Sequence, residues 1–421
     1  MMTMLHQFTF KNFKSFQEEA TLDLTASAIK DLPADVVVDV LHEPVLKLAA
    51  LYGANASGKS NVLKAFQAMS YVVLASFSDE DALRKVKPFW FEDSTTPTEF
   101  SVLFSTATNI YQYGFSCVQG TITSEYLYQR DKQRVGEQYL EIFDRTATGI
   151  TGKITTQAEV QTLERLIEPG TLLLSALARL NLSVIKEVVA WFRNVQVLDY
   201  GDPRGEINKN QRLRTRRPRN PLIDLLTDET EKARFEAFIR AVDVGIAGLG
   251  VVSDDHNLAS DTEPHQRVVA FHRHPQTGKL MQTPIAAESS GTRKMLMLYV
   301  DLKQALEQGN TILIDELDAK LHPLLLRYIL IMFHDPTLNP KGAQLIFTTQ
   351  ELFTLDKDNF RRDEVWFVNK DENGRSDLYS LDTIRLNEGK KVRNDASYGK
   401  DYILGKFRAT PMLKRLGDAD V

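Results

Sequence analysis

Val45-Leu-Lys-Leu-Ala-Ala-Leu-Tyr52-Gly53-Ala-Asn55-Ala56-Ser57-Gly58-Lys59-Ser60-Asn61 is the stretch that decides the fold. A compact apolar run ending at a glycine has the pattern of a buried strand, and the residues from Lys59 to Val72 continue with helical spacing. Between the two, Gly53 to Ser60 matches G-x-x-x-x-G-K-[ST] in full. The glycines let the backbone wrap tightly, so successive N–H groups converge on phosphate oxygens. Lys59 brings a point charge to the outer phosphates and Ser60 a hydroxyl for Mg²⁺. The following helix aims its positive end at the anion. The candidate binding set is Gly53, Asn55, Ala56, Ser57, Gly58, Lys59, Ser60 and Asn61. Chance is the rival explanation, and an apolar strand before the motif with a helix after it argues against chance.

The flanking patterns build a mixed α/β fold. Phe8, Phe10 and Phe13, then Thr21 to Leu24, predict two strands near a sheet edge. From Glu99 to Arg145 the period changes to two, with Phe100, Val102 and Phe104, then Tyr111, Tyr113, Phe115 and Cys117, alternating with polar residues. That pattern predicts an antiparallel meander. Residues from about 155 to 251 read as mostly helical around a Gly/Pro/Arg-rich loop at 201–221, with Trp191 and Phe192 as core. Alternation returns at Gln266 to Phe271. Met295, Leu298, Tyr299, Leu302, Ala305 and Leu306 share one face of a helix opening at Gly291. Thr311 to Ile314, Gln344 to Thr348 and Glu364 to Asn369 read as strands, with a helix from Pro323 to His334 between the first two. Strands alternating with helices predict a mostly parallel, covered sheet. The expected organisation is an N-terminal half over 1–150, an inserted, mostly helical subdomain over 151–260, and a C-terminal half over 261–421.

Thr311-Ile-Leu-Ile-Asp315-Glu316 is an apolar strand ending in two carboxylates. A parallel strand delivers its last residues to the ligand crevice. There Asp315 would hold Mg²⁺ through water, and Glu316 would orient and polarise an attacking water. Glu288-Ser289-Ser290-Gly291-Thr292 stands ahead of the periodic helix. Alone, Ser-Ser-Gly is a common helix cap, although such a helix start also suits an anion.

Phosphate loop, long insertion, Ser-Ser-Gly, acidic pair: in this order the chain resembles an ABC-type ATPase, in the form seen in the SMC/RecF/OLD branch. The resemblance implies an ABC-type P-loop head, a mixed sheet with an antiparallel β-subdomain and flanking helices, carrying an inserted helical subdomain. It also implies binding of ATP and Mg²⁺ and hydrolysis served by Glu316 and Lys59. A head-to-tail homodimer or higher oligomer follows, in which Ser289, Ser290 and Gly291 complete the nucleotide site of a second subunit. Asn12-Phe13-Lys14-Ser15-Phe16 is similar to the N-terminal element of that branch, which brings Lys14 to the nucleotide. Leu321-His322-Pro323 resembles the motif that follows its acidic pair. At the family's switch-histidine position stands Gln350, which hydrogen-bonds without charge. That departure bears on hydrolysis rate more than on binding. A Q-loop glutamine is not identified, and Gln112 and Gln119 are only weak candidates.

The C-terminal stretches Arg361 to Lys370, Leu378 to Leu381 and Tyr402 to Pro411 are similar to the tail of the RloA- or AbiL-like bacterial ATPases, with Lys406 and Phe407 departing from that pattern. This resemblance implies a setting of phage defence or abortive infection, with a separately encoded nuclease-like or toxin-like effector as partner.

Bulk properties narrow the alternatives. The 421 residues are 43% apolar and 25% charged, as in an ordinary globular protein, and the net charge is −5. A chain that coats nucleic acid by bulk charge is usually basic, so DNA or RNA contact would need a local patch. Lys209, Arg212, Arg214, Arg216, Arg217 and Arg219 make one, but without aromatics a solvated loop is the plainer reading. His256, His265, His272 and His274 lack the tight spacing of a zinc site. The single cysteine, Cys117, allows no disulfide within the chain and suits a reducing cytoplasm. The N-terminus does not read as a signal peptide. Nothing approaches the ~20 apolar residues of a membrane span, so a cytoplasmic protein away from membranes is expected. A chromosomal DNA-repair or DNA-maintenance ATPase that clamps DNA is the main rival. A transporter's nucleotide-binding subunit fits less well, because such subunits usually lack the long insertion and this tail.

Overall fold

The computed structural model describes residues 2–32, 36–40, 43–107, 109–131, 139–153, 167–180, 182–201, 221–242, 245–254, 265–319, 321–385, 392–393 and 396–410. The basic loop at 209–219 and His256 lie outside them. Two compact units are formed. The larger takes in Met1–Leu198, Leu306–Asp315 and Ile329–Val421; the smaller takes in Asp199–Ala305 and Glu316–Tyr328.

The larger unit contains two sheets. The first runs Gln196–Asp199, Thr311–Asp315, Gln344–Thr348, Leu48–Tyr52, Val365–Lys370, Ser376–Ser380 from edge to edge. Its four central strands are parallel, in the registers Ile314↔Phe347, Thr348↔Leu51 and Val365↔Ala50. Every residue of Thr311–Asp315, Gln344–Thr348 and Leu48–Tyr52 is buried, as expected where a strand is covered on both faces. The second sheet is the expected antiparallel meander, seven strands in the order Gly149–Gly152, Leu140–Thr146, Thr121–Asp131, Asn109–Val118, Thr98–Ser105, Met4–Lys11, Ala20–Asp23. The helix Lys59–Ala75 buries Val62, Leu63, Phe66, Met69 and Val72 in a core to which both sheets contribute. Phe66 meets Phe8 edge-on at 5.2 Å, and Trp191 stacks on Phe104 at 4.0 Å.

Two details differ from the sequence reading. The apolar run Val45 to Tyr52 is two strands, Glu43–Leu46 and Leu48–Tyr52, parted at Lys47. Lys47 is buried, and its Nζ donates to His334 O at 2.5 Å, at the negative end of the helix Pro323–His334. The stretch expected to be mostly helical also contains strands, Gln196–Asp199 and Ile246–Asp254.

The smaller unit packs the helices Pro221–Thr227 and Glu229–Val242, with most of Ser290–Gln308, around a three-stranded antiparallel sheet. Its strands are Ile246–Asp254, His265–Arg273 and Leu280–Pro284. Phe235 and Phe238 pack on Tyr299 at 4.7 and 4.9 Å.

Candidate nucleotide site

The phosphate loop joins the strand Leu48–Tyr52 to the helix Lys59–Ala75, as its sequence requires. Gly53 and Gly58 have φ of 156° and 114°. A Cβ on Gly53 would lie 2.3 Å from Val368 O, and one on Gly58 would lie 2.5 Å from Ser376 Oγ. Both glycines are therefore required twice, by conformation and by space. Asn55 and Ala56 are exposed at the apex, with Ala56 at φ 61°. Lys59 is buried and donates to Gly53 O at 2.8 Å and Ala54 O at 3.0 Å, which holds its ammonium inside the curve of the loop.

The N-terminal element is latched to this loop. Ser15 Oγ accepts from Asn61 Nδ2 at 2.8 Å and from Ser376 Oγ at 2.8 Å, and Ser376 N donates to Ser15 O at 2.6 Å. The Ser376 hydroxyl is also 2.6 Å from Ser57 O. Asn12 and Lys14 both have positive φ, 51° and 52°. Backbone strain of this kind in ordinary residues collects at functional sites. Lys14 is half-buried, and burial first, then the nearby Lys64 ammonium, draws its pKa below the usual lysine range. Two cations beside the first turns of the loop helix favour an anion there.

Asp315 ends its strand one residue past the Ile314↔Phe347 pair. Ser60 Oγ donates to Asp315 Oδ1 at 3.1 Å, and Thr348 Oγ1 donates to the same oxygen at 2.6 Å. A carboxylate with a neighbouring hydroxyl is a hard-oxygen pair of the kind Mg²⁺ takes, alongside phosphate oxygens and water. The three parallel strands that supply Tyr52, Asp315 and Thr348 thus bring the loop, Ser60 and the carboxylate together at their carboxyl ends. Thr348 and Ser376 were not singled out from sequence. Thr348 was within reach, as the last residue of a strand predicted for the same parallel sheet as the acidic one, whereas Ser376 follows a turn and carries no signal. Gln350 is exposed two residues beyond Thr348. Gln119, at φ 49°, occupies the turn after Val118 and donates to Ser94 Oγ at 3.2 Å.

Glu316 follows Asp315 in the chain and belongs to the smaller unit, with φ 51°. The Ser-Ser-Gly turn lies in the same unit. Ser289 precedes the helix Ser290–Gln308, and its Oγ accepts from Thr292 N at 3.1 Å, which is N-cap geometry. Gly291 lies in the first turn of that helix. Just ahead, Glu288 is paired with His272 at 2.8 Å. His274 Nδ1 accepts two turn amides, from Gln276 and Thr277. Among the described residues no cluster of three or more His, Cys, Asp or Glu is placed to hold a metal ion.

Residues 48–144 and 194–356, more than half of the chain, match the family described as "AAA domain, putative AbiEii toxin, Type IV TA system". The chain belongs to this family. The family and the phosphate loop between its strand and helix together make it a P-loop AAA domain, a class that takes nucleotide, typically with Mg²⁺. Among solved structures it is similar to an SMC head bound to the C-terminal winged-helix domain of ScpA, at 13% identity, with 89% of this chain and 97% of that one covered and a TM-score of 0.44. It is also similar to an SMC head domain with an extended coiled coil, bound to the C-terminal domain of ScpA derived from Pyrococcus furiosus. There the identity is 12%, the coverage 90% and 96%, and the TM-score 0.42. No curated protein matches the sequence. No helix of the described residues is long and apolar enough to cross a membrane.

Proposed function

We propose that this AAA-family chain hydrolyses ATP as a homodimer and uses the cycle to gate a separately encoded effector in bacterial anti-phage defence. The observation that carries the hydrolytic part is the convergence of Ser60 and Thr348 on Asp315, beside the loop that encloses Lys59. In this reading the Gly53 to Ser60 backbone, Asn61 and Lys59 take the triphosphate, and Lys14 adds charge at its side. Ser60 and Asp315 would hold the magnesium, whose charge would offset that building on the phosphate oxygens. Glu316 orients and polarises the water, and Gln350 offers an uncharged hydrogen bond to the γ-phosphate or that water.

Ser289, Ser290 and Gly291 are assigned to the nucleotide of the second subunit. ATP would close the dimer and hydrolysis would reopen it. The effector is expected to be nuclease-like or toxin-like. The family's description as a putative toxin of a toxin–antitoxin system supports a defence setting.

ATP turnover and light-scattering mass, measured on wild type, Lys59→Ala, Glu316→Gln and Ser289→Arg, test this. Lys59→Ala should lose nucleotide binding, Glu316→Gln should accumulate as an ATP-bound dimer, and Ser289→Arg should bind ATP without turning it over. A Ser289→Arg protein that hydrolyses normally as a monomer refutes the shared site.

A further inference from the structure

The turn that carries Glu316 is gripped by a buried lysine. Lys294 lies in the second turn of the helix Ser290–Gln308 and is 5% exposed. Its Nζ donates to Glu316 O at 3.2 Å, to Leu317 O at 3.2 Å and to Ala319 O. The same ammonium stands 5.0 Å from the centre of the Tyr200 ring. Tyr200 is buried in turn, and its hydroxyl donates to Asp301 Oδ2 at 2.7 Å, two helical turns beyond Lys294. One helix therefore holds the tyrosine at both ends.

The next residue, Gly201, lies against the Glu316 side chain. A Cβ there would stand 2.2 Å from Glu316 Oε2 and 2.5 Å from its Cδ. Glu316 itself has φ 51°, a strained backbone for a non-glycine residue. A buried ammonium is costly unless several acceptors surround it, and here the acceptors are carbonyls of a turn that opens on a strained residue.

We propose that Lys294, with Tyr200 and Gly201, is a positioning device for Glu316. Lys294 fixes the backbone of the Glu316 to Ala319 turn, and the Tyr200–Gly201 segment sets where the carboxylate rests. Because Lys294 is carried by the helix that opens with Ser290 and Gly291, any force on that helix start reaches Glu316 of the same chain through one side chain. This rests on the reading of Glu316 as the residue that polarises water.

The test uses the full-length chain, with ATP affinity measured separately from single-turnover hydrolysis. Lys294→Met keeps the length and removes the charge. It should leave ATP affinity within about twofold and lower the hydrolytic rate by about ten- to a hundredfold, and Lys294→Arg should recover part of the loss. In a Glu316→Gln background, Lys294→Met should add nothing, because both changes act through one carboxylate. Gly201→Ala covers the case in which loss of Lys294 unfolds the unit. Gly201 is exposed and the clash is with the flexible end of Glu316, so the fold persists while the carboxylate is displaced. It too should slow hydrolysis with binding intact. Full activity in Lys294→Met or Gly201→Ala, or losses that multiply with Glu316→Gln, overturns the proposal. Full activity in Glu316→Gln alone instead overturns the assignment of Glu316, whatever Lys294 does.

Discussion

Asp315 and Glu125 are both buried carboxylates of the larger unit, and their partners set them apart. Glu125 accepts from Leu173 N at 2.6 Å, Leu174 N at 2.9 Å and Tyr113 Oη at 3.0 Å, with Arg145 at 3.8 Å. These are main-chain amides at the start of a helix, a buried phenol and a cation, all belonging to the packing. Burial still outweighs them and pushes the carboxyl up to about 7. Asp315 accepts from two hydroxyls, Ser60 and Thr348. A hydroxyl can turn and offer a lone pair to a cation, which an amide N–H cannot do. A buried charge by itself does not mark a reactive site. The exchangeability of its partners does.

The largest effect expected from this contrast is at Asp315. Asp315→Asn keeps the shape and removes the charge that a magnesium ion would neutralise. Magnesium-dependent ATP turnover should fall by about a hundredfold or more, while thermal stability stays near wild type. Unimpaired turnover in this variant would make Asp315 a structural carboxylate like Glu125 and break the comparison at its first term.

How far these two sites were legible from sequence follows the same division. Asp315 announces itself by its place at the end of an apolar strand, and the phosphate loop by its glycines, because a local motif dictates local backbone. Glu125 stands in an alternating strand, where its position predicts one face of the sheet and says nothing of the Leu173 and Leu174 amides 48 and 49 residues away. The role of Lys294 is not legible in the sequence for a related reason. In the helical pattern it is a charged residue among apolar ones, and only packing shows its carbonyl partners.

The strand Ile246–Asp254 was hidden by Gly248 and Gly250, which weaken a strand pattern. Their reason is spatial. A Cβ on Gly250 would meet the Phe271 ring at 2.7 Å, and Glu236 reaches past Gly248 to accept from Leu249 N at 2.9 Å. Lys47 broke an apolar run at a point where a helix end needed a cation.

Glu125 supplies the second test. Its folded-state pKa is about 7 against an ordinary 4.5, so the folded chain holds this proton more tightly than the unfolded chain does. The resulting stability is present in full below about 4.5 and is lost as pH rises through about 7. Glu125→Gln has no proton to lose and keeps an oxygen to accept an amide. The stability difference, wild type minus variant, should therefore fall between pH 5 and pH 8, by no more than about 3 kcal/mol. ATP turnover per folded molecule should not change. Calorimetric unfolding of both proteins across that range measures it, and parallel pH profiles would mean that Glu125 titrates like an exposed carboxylate.

The smallest effect is expected at Thr348, and it separates orientation from packing. Thr348→Val is nearly isosteric and removes one of the two hydroxyls on Asp315 Oδ1, leaving Ser60 in place. A single hydrogen bond to a charged group contributes about 1.5–3 kcal/mol at most when buried, and groups that orient a metal ligand tune affinity rather than create it. The magnesium concentration for half-maximal hydrolysis should rise about three- to tenfold, with nucleotide affinity in the absence of magnesium unaltered. If Thr348→Val instead lowers the unfolding temperature and leaves the magnesium dependence where it was, the threonine belongs to the packing as the partners of Glu125 do. The hydroxyls around Asp315 would then not be exchangeable, and the feature that distinguishes the two carboxylates would be lost.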